Sequence, residues 1–300
     1  MLRRMPSTEP VWTPPTSFDQ FVVERPLGSG GMGHVYLARE VSLDRLVALK
    51  FISSATPTQA ARSRFLFEAR ALAKLSHPNV VGVYRIGEVD GQPYIAYEFV
   101  PGQSLDKLPK PIGWETVLRL AVGLARGLDA AHSRGILHRD IKPSHAVLSE
   151  RGEIKLLDFG LAQLSDRVGD GSTAQARNAG ALELPLEAAD QRAATRPSML
   201  VGTPAYLAPE LWLGEDASKR SDIFALGLVL YELLVGELPH AEMDSDEMAR
   251  TIVSGKLPPL RSLRPELPES LSAIVDRCLS SEPAERFPSA TELRTALEEV

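Results

Sequence analysis

Leu27-Gly28-Ser29-Gly30-Gly31-Met32-Gly33-His34-Val35 places glycines at 28, 30 and 33 in a G-x-G-x-x-G spacing. Glycine lets backbone N–H groups approach a phosphate with no Cβ in the way. The same glycines also fit a plain hairpin turn. Two phosphate-binding alternatives fail on the residues after Gly33. A dinucleotide fingerprint needs a helix after the last glycine, and Val35-Tyr36-Leu37-Ala38 reads as strand. A Walker loop needs Lys-Ser/Thr there, and His34-Val35 stands in its place. A strand, glycine turn and second strand lying over nucleotide phosphates is the third option. Val47-Ala48-Leu49-Lys50 supplies a cation for it. A lysine inside an apolar strand is costly unless counter-charges meet its ammonium, and phosphates plus a carboxylate would serve. Glu68 on the following helix is a candidate for that carboxylate, although alone it reads as a solvated face residue.

The elements that must position these groups can be read from periodicity. Residues 1–17 are rich in Pro, Ser and Thr and are expected to form a flexible leader. From Phe18 short β-type runs alternate with Gly or charged turns. Apolar residues at 65, 69, 72 and 75 form a helical stripe. Two strand-like runs follow, Val80–Ile86 and Tyr94–Val100, separated by the hairpin signal Asp90-Gly91. After Pro101-Gly102 the period is helical. Trp114–Arg134 is a long helix candidate, and Ser218–Val235 is apolar nearly all round, as a buried helix would be. Ser289-Ala290-Thr291-Glu292 fits a capping box that opens a last helix. Residues 163–198 lack any sustained period and are expected to be mobile. The division expected is a β-rich unit with one helix over 18–100, then a helical unit over 101–300.

Bulk properties exclude several classes. The net charge of −6 argues against sequence-independent binding of a nucleic-acid duplex. A single cysteine, Cys278, permits no intramolecular disulfide, which fits a reducing compartment. The most apolar stretch, Ile223–Tyr231, is far short of the roughly 20 residues a membrane span needs. Prolines at 6, 10, 14 and 15 break any signal-peptide core. A soluble, cytoplasmic chain is expected.

His138-Arg139-Asp140-Ile141-Lys142-Pro143 and Asp158-Phe159-Gly160 complete a series. With the glycine loop, Lys50, Glu68, Ala208-Pro209-Glu210, Asp222 to Gly227 and Arg286, the chain resembles the eukaryotic-type protein kinases from about Phe18 to Val300. The glycine-loop wording is similar to the bacterial serine/threonine branch. The resemblance implies an α+β, bilobal kinase fold with a five-stranded N-lobe and a helical C-lobe. It implies ATP as phosphoryl donor, Mg²⁺ as metal and a protein Ser or Thr hydroxyl as acceptor. Lys142 and the Gly202-Thr203-Pro204-Ala205-Tyr206 segment are similar to the serine/threonine class rather than the tyrosine class. Similar bacterial kinases also form homodimers, so a second copy is a partner the resemblance brings with it.

The resemblance assigns roles to matching positions. Leu27, Gly28, Ser29, Gly30, Gly31, Met32, Gly33 and His34 would cover the phosphates, and Lys50 would hold them while pairing with Glu68. Val35, Ala48 and Val147 would sandwich the adenine. The Glu98 carbonyl and Val100 amide would read its edge, with Tyr97 at the back. Asp140 would orient the acceptor hydroxyl and take its proton, Lys142 would neutralise the moving phosphoryl group, and Asp158 would bind metal. Leu72, Val83, His138 and Phe159 would stack as a spine, and Glu210 would pair with Arg286. Thr195 and Ser198 would be phosphosites, docking on Arg139.

One position departs from the family's H-R-D-x-x-x-x-N. The fifth residue after Asp140 is His145, not Asn. The Asn would give a carbonyl oxygen to the second Mg²⁺ and an amide donor to the catalytic Asp. A histidine there offers nitrogen to a cation that prefers oxygen. Two expectations result. One is a kinase weakened by His145 as a metal ligand, with Mn²⁺ preferred. The alternative is a nucleotide-binding pseudokinase scaffold that regulates a partner protein.

Overall fold

The computed structural model describes residues 12–30, 33–52, 58–159 and 204–300. The expected mobile insertion, Thr195, Ser198, Gly31, Met32 and Thr203 lie outside the described residues. The chain divides into two compact units: Met1–Lys74 with Gly82–Phe99, and Leu75–Val81 with Val100–Val300.

The first unit holds β1 (Ser17–Phe18), β2 (Phe21–Gly30), β3 (Gly33–Glu40), β4 (Arg45–Phe51), α1 (Gln59–Ala73), β5 (Val83–Val89) and β6 (Gln92–Glu98). The strands form one antiparallel sheet in the order β1-β2-β3-β4-β6-β5, six strands where five were expected because of the short β1. Alternation sorts β4 into two faces. Val47, Leu49 and Phe51 join Phe21 and Tyr94 in a buried cluster, leaving Ala48 and Lys50 for the other face. The Asp90-Gly91 turn between β5 and β6 has φ values of 48° and 78°, as a tight hairpin requires. At Gly33 a Cβ would lie 2.0 Å from the Phe51 carbonyl oxygen, so only glycine fits where β3 crosses β4.

The packed chain begins earlier than expected. Trp12 lies 5.0 Å from the Phe51 ring and Phe18 lies 5.2 Å from Tyr94. Phe18 is the expected start, but the Pro-rich composition around Trp12 masks this one aromatic anchor, which packs on the sheet rather than belonging to a leader.

The second unit contains a three-stranded antiparallel sheet, β7 (Gly102–Ser104), β8 (Ala146–Ser149) and β9 (Ile154–Leu156). Its helices are α2 (Trp114–His132), α3 (Pro209–Trp212), α4 (Lys219–Val235), α5 (Ser245–Val253), α6 (Leu260–Leu263), α7 (Glu269–Cys278) and α8 (Ala290–Glu298). Residues 75–81 belong here and not with the first unit as expected. Val80 bridges Leu156, and the Asn79 side chain donates to the Ile154 carbonyl at 2.8 Å. β5 accordingly starts at Val83, later than the strand expected from Val80.

α4 is the central support, buried all round as its composition requires. Ser218 caps it in a reciprocal box with Ser221, a serine in the place usually taken by Glu or Gln. At Gly227 a Cβ would sit 2.7 Å from Cys278 Cβ, which fixes how closely α4 and α7 pack. Burial pushes the Cys278 thiol up to about 12, which removes it as a nucleophile. Ser289 accepts from the Glu292 amide at the start of α8, the Ser-to-backbone half of the expected capping box.

Candidate active site

Asp222, in the first turn of α4, anchors the catalytic-loop candidate. Its carboxylate accepts from the His138 amide at 2.8 Å, the Arg139 amide at 2.7 Å and His132 Nε2 at 2.8 Å. Asp222 is 2 % exposed, so these bonds replace its hydration. Arg139 takes a left-handed φ of 64°, an unfavourable value for a residue with a Cβ, held by that amide bond.

His138 is fully buried and links two loops. Its Nδ1 accepts from the Asp140 amide at 3.3 Å, and its Nε2–H donates to the Leu157 carbonyl at 2.9 Å. Only the neutral imidazole can make both bonds. Burial pushes its pKa down to about 4, outweighing Asp222, the largest opposing influence. The His138 ring lies 4.5 Å from Phe159. These two members of the expected spine touch, while Leu72 and Val83 lie in the other unit.

The Asp140 side chain is 3 % exposed. Lys142 Nζ donates to its Oδ2 at 2.9 Å. His145 Nδ1 lies 2.9 Å from the Asp140 backbone oxygen and 3.3 Å from its Oδ2. A carbonyl only accepts, so Nδ1 carries a proton, and burial lowers the ring's pKa against the opposing effect of Asp158 and Asp140, which favours the neutral form. The lone pair is then on Nε2, which lies 3.9 Å from Asp158 Oδ2. His145 thus donates to the Asp140 backbone oxygen through Nδ1–H and presents Nε2 toward Asp158. Asp158 also takes a left-handed φ, 46°.

Asp158 and His145 make a mixed oxygen and nitrogen donor pair, which fits a divalent metal that also takes ligands from elsewhere. Among the described residues no group of three or more His, Cys, Asp or Glu could hold a metal by itself. A metal here therefore needs further ligands, such as nucleotide phosphates.

In the first unit, Val35 pairs directly with Lys50, and Leu37 with Ala48. The adenine and phosphate candidates of β3 and β4 therefore share one sheet face. Ile95 and Tyr97 of β6 continue it. Lys50 is 3 % exposed. Gly28, Ser29 and Gly30 pair with Val35, His34 and Gly33 toward the hairpin tip, and Leu27 is half-buried nearby in β2. Glu98 accepts from the Gly82 amide at 3.1 Å through its carboxylate. Glu68 lies in α1, but its side chain is outside the described residues. Val100 and Val147 are half-buried in the second unit.

A model of the protein kinase domain matches residues 21–296. The chain belongs to the protein kinase domain family. Its fold is the bilobal kinase fold. The kinase domain of PknI from Mycobacterium tuberculosis is similar in structure, with a TM-score of 0.68 and 31% identity over 94% of this chain and 96% of that one. The probable serine/threonine-protein kinase PknB of Lactococcus lactis is 32% identical over 92% of this chain and 41% of its own length. The tyrosine-protein kinase MasK of Myxococcus xanthus is 31% identical over 94% of this chain and 43% of its own. The chain spans less than half the length of these curated relatives. Members of the family generally use ATP and Mg²⁺. No helix among the described residues is long and apolar enough to cross a membrane.

Glu210 and Arg286 pair as expected, at 2.9 and 2.8 Å, with Arg286 fully buried. Ser221 donates to Glu210 at 2.7 Å, and these partners hold the Glu210 carboxyl below the usual range against the opposing effect of burial. Sequence reasoning missed His132, His240 and Glu232, which support the loops around Asp140. The available signal was a polar residue in an apolar run: Ala-Ala-His at 130–132 and Leu-Tyr-Glu-Leu-Leu at 230–234, whereas His240 follows only Leu-Pro.

Proposed function

We propose that this chain is an ATP-dependent protein serine/threonine kinase. The reading is carried by the buried Asp140 carboxylate with Lys142 against one oxygen, beside the Asp158 and His145 pair. Asp140 would orient the acceptor hydroxyl and take its proton as the acceptor oxygen bonds the γ-phosphorus and the bond to the β–γ bridging oxygen breaks, with ADP as the leaving group. Lys142 would carry a positive charge that follows the group from donor to acceptor. When bound, the metal and ATP supply the transferable phosphoryl group and neutralise its charge. Asp158 and His145 Nε2 are the residues that would hold the metal. Lys50 would hold the α- and β-phosphates and pair with Glu68. The Gly28–Gly33 turn would cover them, and Val35, Ala48, Val147, Glu98 and Val100 would frame the adenine.

His145 is the reason to expect a weakened Mg²⁺ enzyme that prefers Mn²⁺. Imidazole nitrogen suits transition metals better than Mg²⁺. The test is incubation with γ-labelled ATP, an acceptor protein, and Mg²⁺ or Mn²⁺, then phosphoamino-acid analysis. Label on Ser and Thr is expected, with Asp140→Asn reducing it by about 10²–10⁴-fold. Label on Tyr would move the acceptor class toward that named for MasK. Nucleotide binding with no transfer in either metal would replace this reading with the regulatory scaffold.

A further inference from the structure

Pro204–Tyr206 forms a single 3₁₀ turn ahead of α3, and two consecutive residues of it are fastened from below. His240 Nε2 lies 2.8 Å from the Ala205 carbonyl. A carbonyl only accepts, so Nε2 carries the proton. His240 is 1 % exposed, and its Nδ1 has no hydrogen-bond partner among the described residues. A buried imidazole with one wasted nitrogen costs stability, so the single bond it makes must carry its use. The adjacent Tyr206 phenol donates to Glu232 Oε2 at 2.5 Å, and Glu232 Oε1 pairs with Lys110. The fastened turn adjoins the catalytic-loop candidate. Tyr206 and Leu207 line one cavity together with Arg139, Asp140 and Asp222. An acceptor chain that presents a hydroxyl to Asp140 would pass close to this turn.

We propose that His240 is a positioning residue for the acceptor protein, acting through the Ala205 carbonyl to hold the 204–207 turn in place. Only its acceptor arm rests on the kinase reading above. A phenylalanine would fill similar space without a donor, whereas glutamine retains an N–H that can reach the same carbonyl.

The test uses the full chain with His240→Phe and His240→Gln. Two quantities are read: hydrogen exchange of peptides covering 204–213, and steady-state kinetics with dephosphorylated casein as acceptor. His240→Phe should speed exchange at 204–213 by about tenfold, with Lys219–Val235 unchanged. It should raise the KM for casein by about tenfold, with kcat and the KM for ATP changed by less than about threefold. His240→Gln should restore most of both. Unchanged exchange at 204–213 in His240→Phe would overturn the proposal, as would a Gln variant no better than Phe. Loss of protection across Lys219–Val235 in both variants would overturn it too, since His240 would then support the core and not the turn. If the wild-type chain passes no phosphate to casein, the kinase reading falls, and the exchange measurement still decides the role of His240.

Discussion

The two units hold their candidate functional side chains by different physics. Lys50 is held by register, with Val35 across one ladder and Ile95 across the other, each a backbone-paired position in a strand of seven or eight residues. Asp140 is held by a few discrete polar bonds that converge on Asp222 and His138. A ladder spreads the task over many groups, so changing one side chain leaves the backbone where it was. A converging network concentrates it, so one lost carboxylate strands several donors together. Substitution should therefore separate stability from activity in the first unit and join them in the second.

The largest effect should come from Asp222→Ala. It leaves the His138 amide, the Arg139 amide and His132 Nε2 unsatisfied in a buried site. At roughly 1–3 kcal/mol for each stranded group, a loss of about 5 kcal/mol is expected in urea unfolding. Activity should fall with it, because the left-handed Arg139 loses its restraint. A loss under about 1 kcal/mol would mean the network is not concentrated on this carboxylate.

Lys50→Met should do the reverse. The stem packs similarly on the apolar face and the ladder is untouched, so the unfolding midpoint should barely move. Phosphoryl transfer should drop by on the order of 10³-fold, ~4 kcal/mol, as for loss of one preorganised charge. A variant that turns over like wild type would remove Lys50 from the site, and a large stability loss would end the contrast between ladder and network.

Part of this contrast was legible in the sequence. Val47, Leu49 and Phe51 alternate with Ala48 and Lys50, and that alone puts a lysine in a half-apolar strand. The all-round apolarity of 218–235 likewise announced a buried α4. Long-range polar bonds leave no local trace. Asp222 and Arg139 are 83 positions apart, and nothing near either announces the other. The same blindness misplaced residues 75–81, whose apolar Val80 and Val81 read as strand but bridge to Leu156. Trp12 was lost because composition averages over its proline neighbours. His145 was legible as a departure from the motif, but its tautomer required the 2.9 Å contact to Asp140.

The buried imidazole of the network gives a pH signature the ladder lacks. His138 titrates near 6.5 when unfolded and is pushed down to about 4 when folded. Between those values the unfolded chain binds the extra proton, so stability falls as pH drops from about 6.5 toward 4. One such group accounts for on the order of 3 kcal/mol over that window, in full effect above about pH 6.5. Burial also lowers His77, His145 and His240, adding in the same direction. Chemical denaturation at pH 7.5, 6 and 5 should show the decline. A His138→Phe variant should show a shallower slope, and an unchanged slope would assign the loss to other groups.

The smallest effect is the most specific to this chain. His145 makes its loop contact through Nδ1–H and presents Nε2 toward Asp158, 3.9 Å away. Asparagine could keep the first function, since its amide can donate to the Asp140 oxygen, and would replace nitrogen with a carbonyl oxygen in the second. The loop geometry should survive, because the His138 and Asp222 bonds do not involve residue 145. What changes is the donor atom offered to the metal. Mg²⁺ binds oxygen in near-octahedral geometry, while Mn²⁺ accepts imidazole more readily. His145→Asn should therefore raise kcat with Mg²⁺ by at least about tenfold, ~1.4 kcal/mol, and narrow the gap between the two metals. Mn²⁺ affinity in the presence of ATP, read by electron paramagnetic resonance, should fall or hold rather than rise. The unfolding midpoint should stay put, which separates a ligand effect from a repaired loop. If rate and metal preference are both unchanged, Nε2 does not ligate, and His145 belongs to the network only as a loop clasp. If the Asn variant is as inert as an inactive parent, a second defect lies elsewhere in the chain, and the scaffold reading gains the ground that the kinase reading loses.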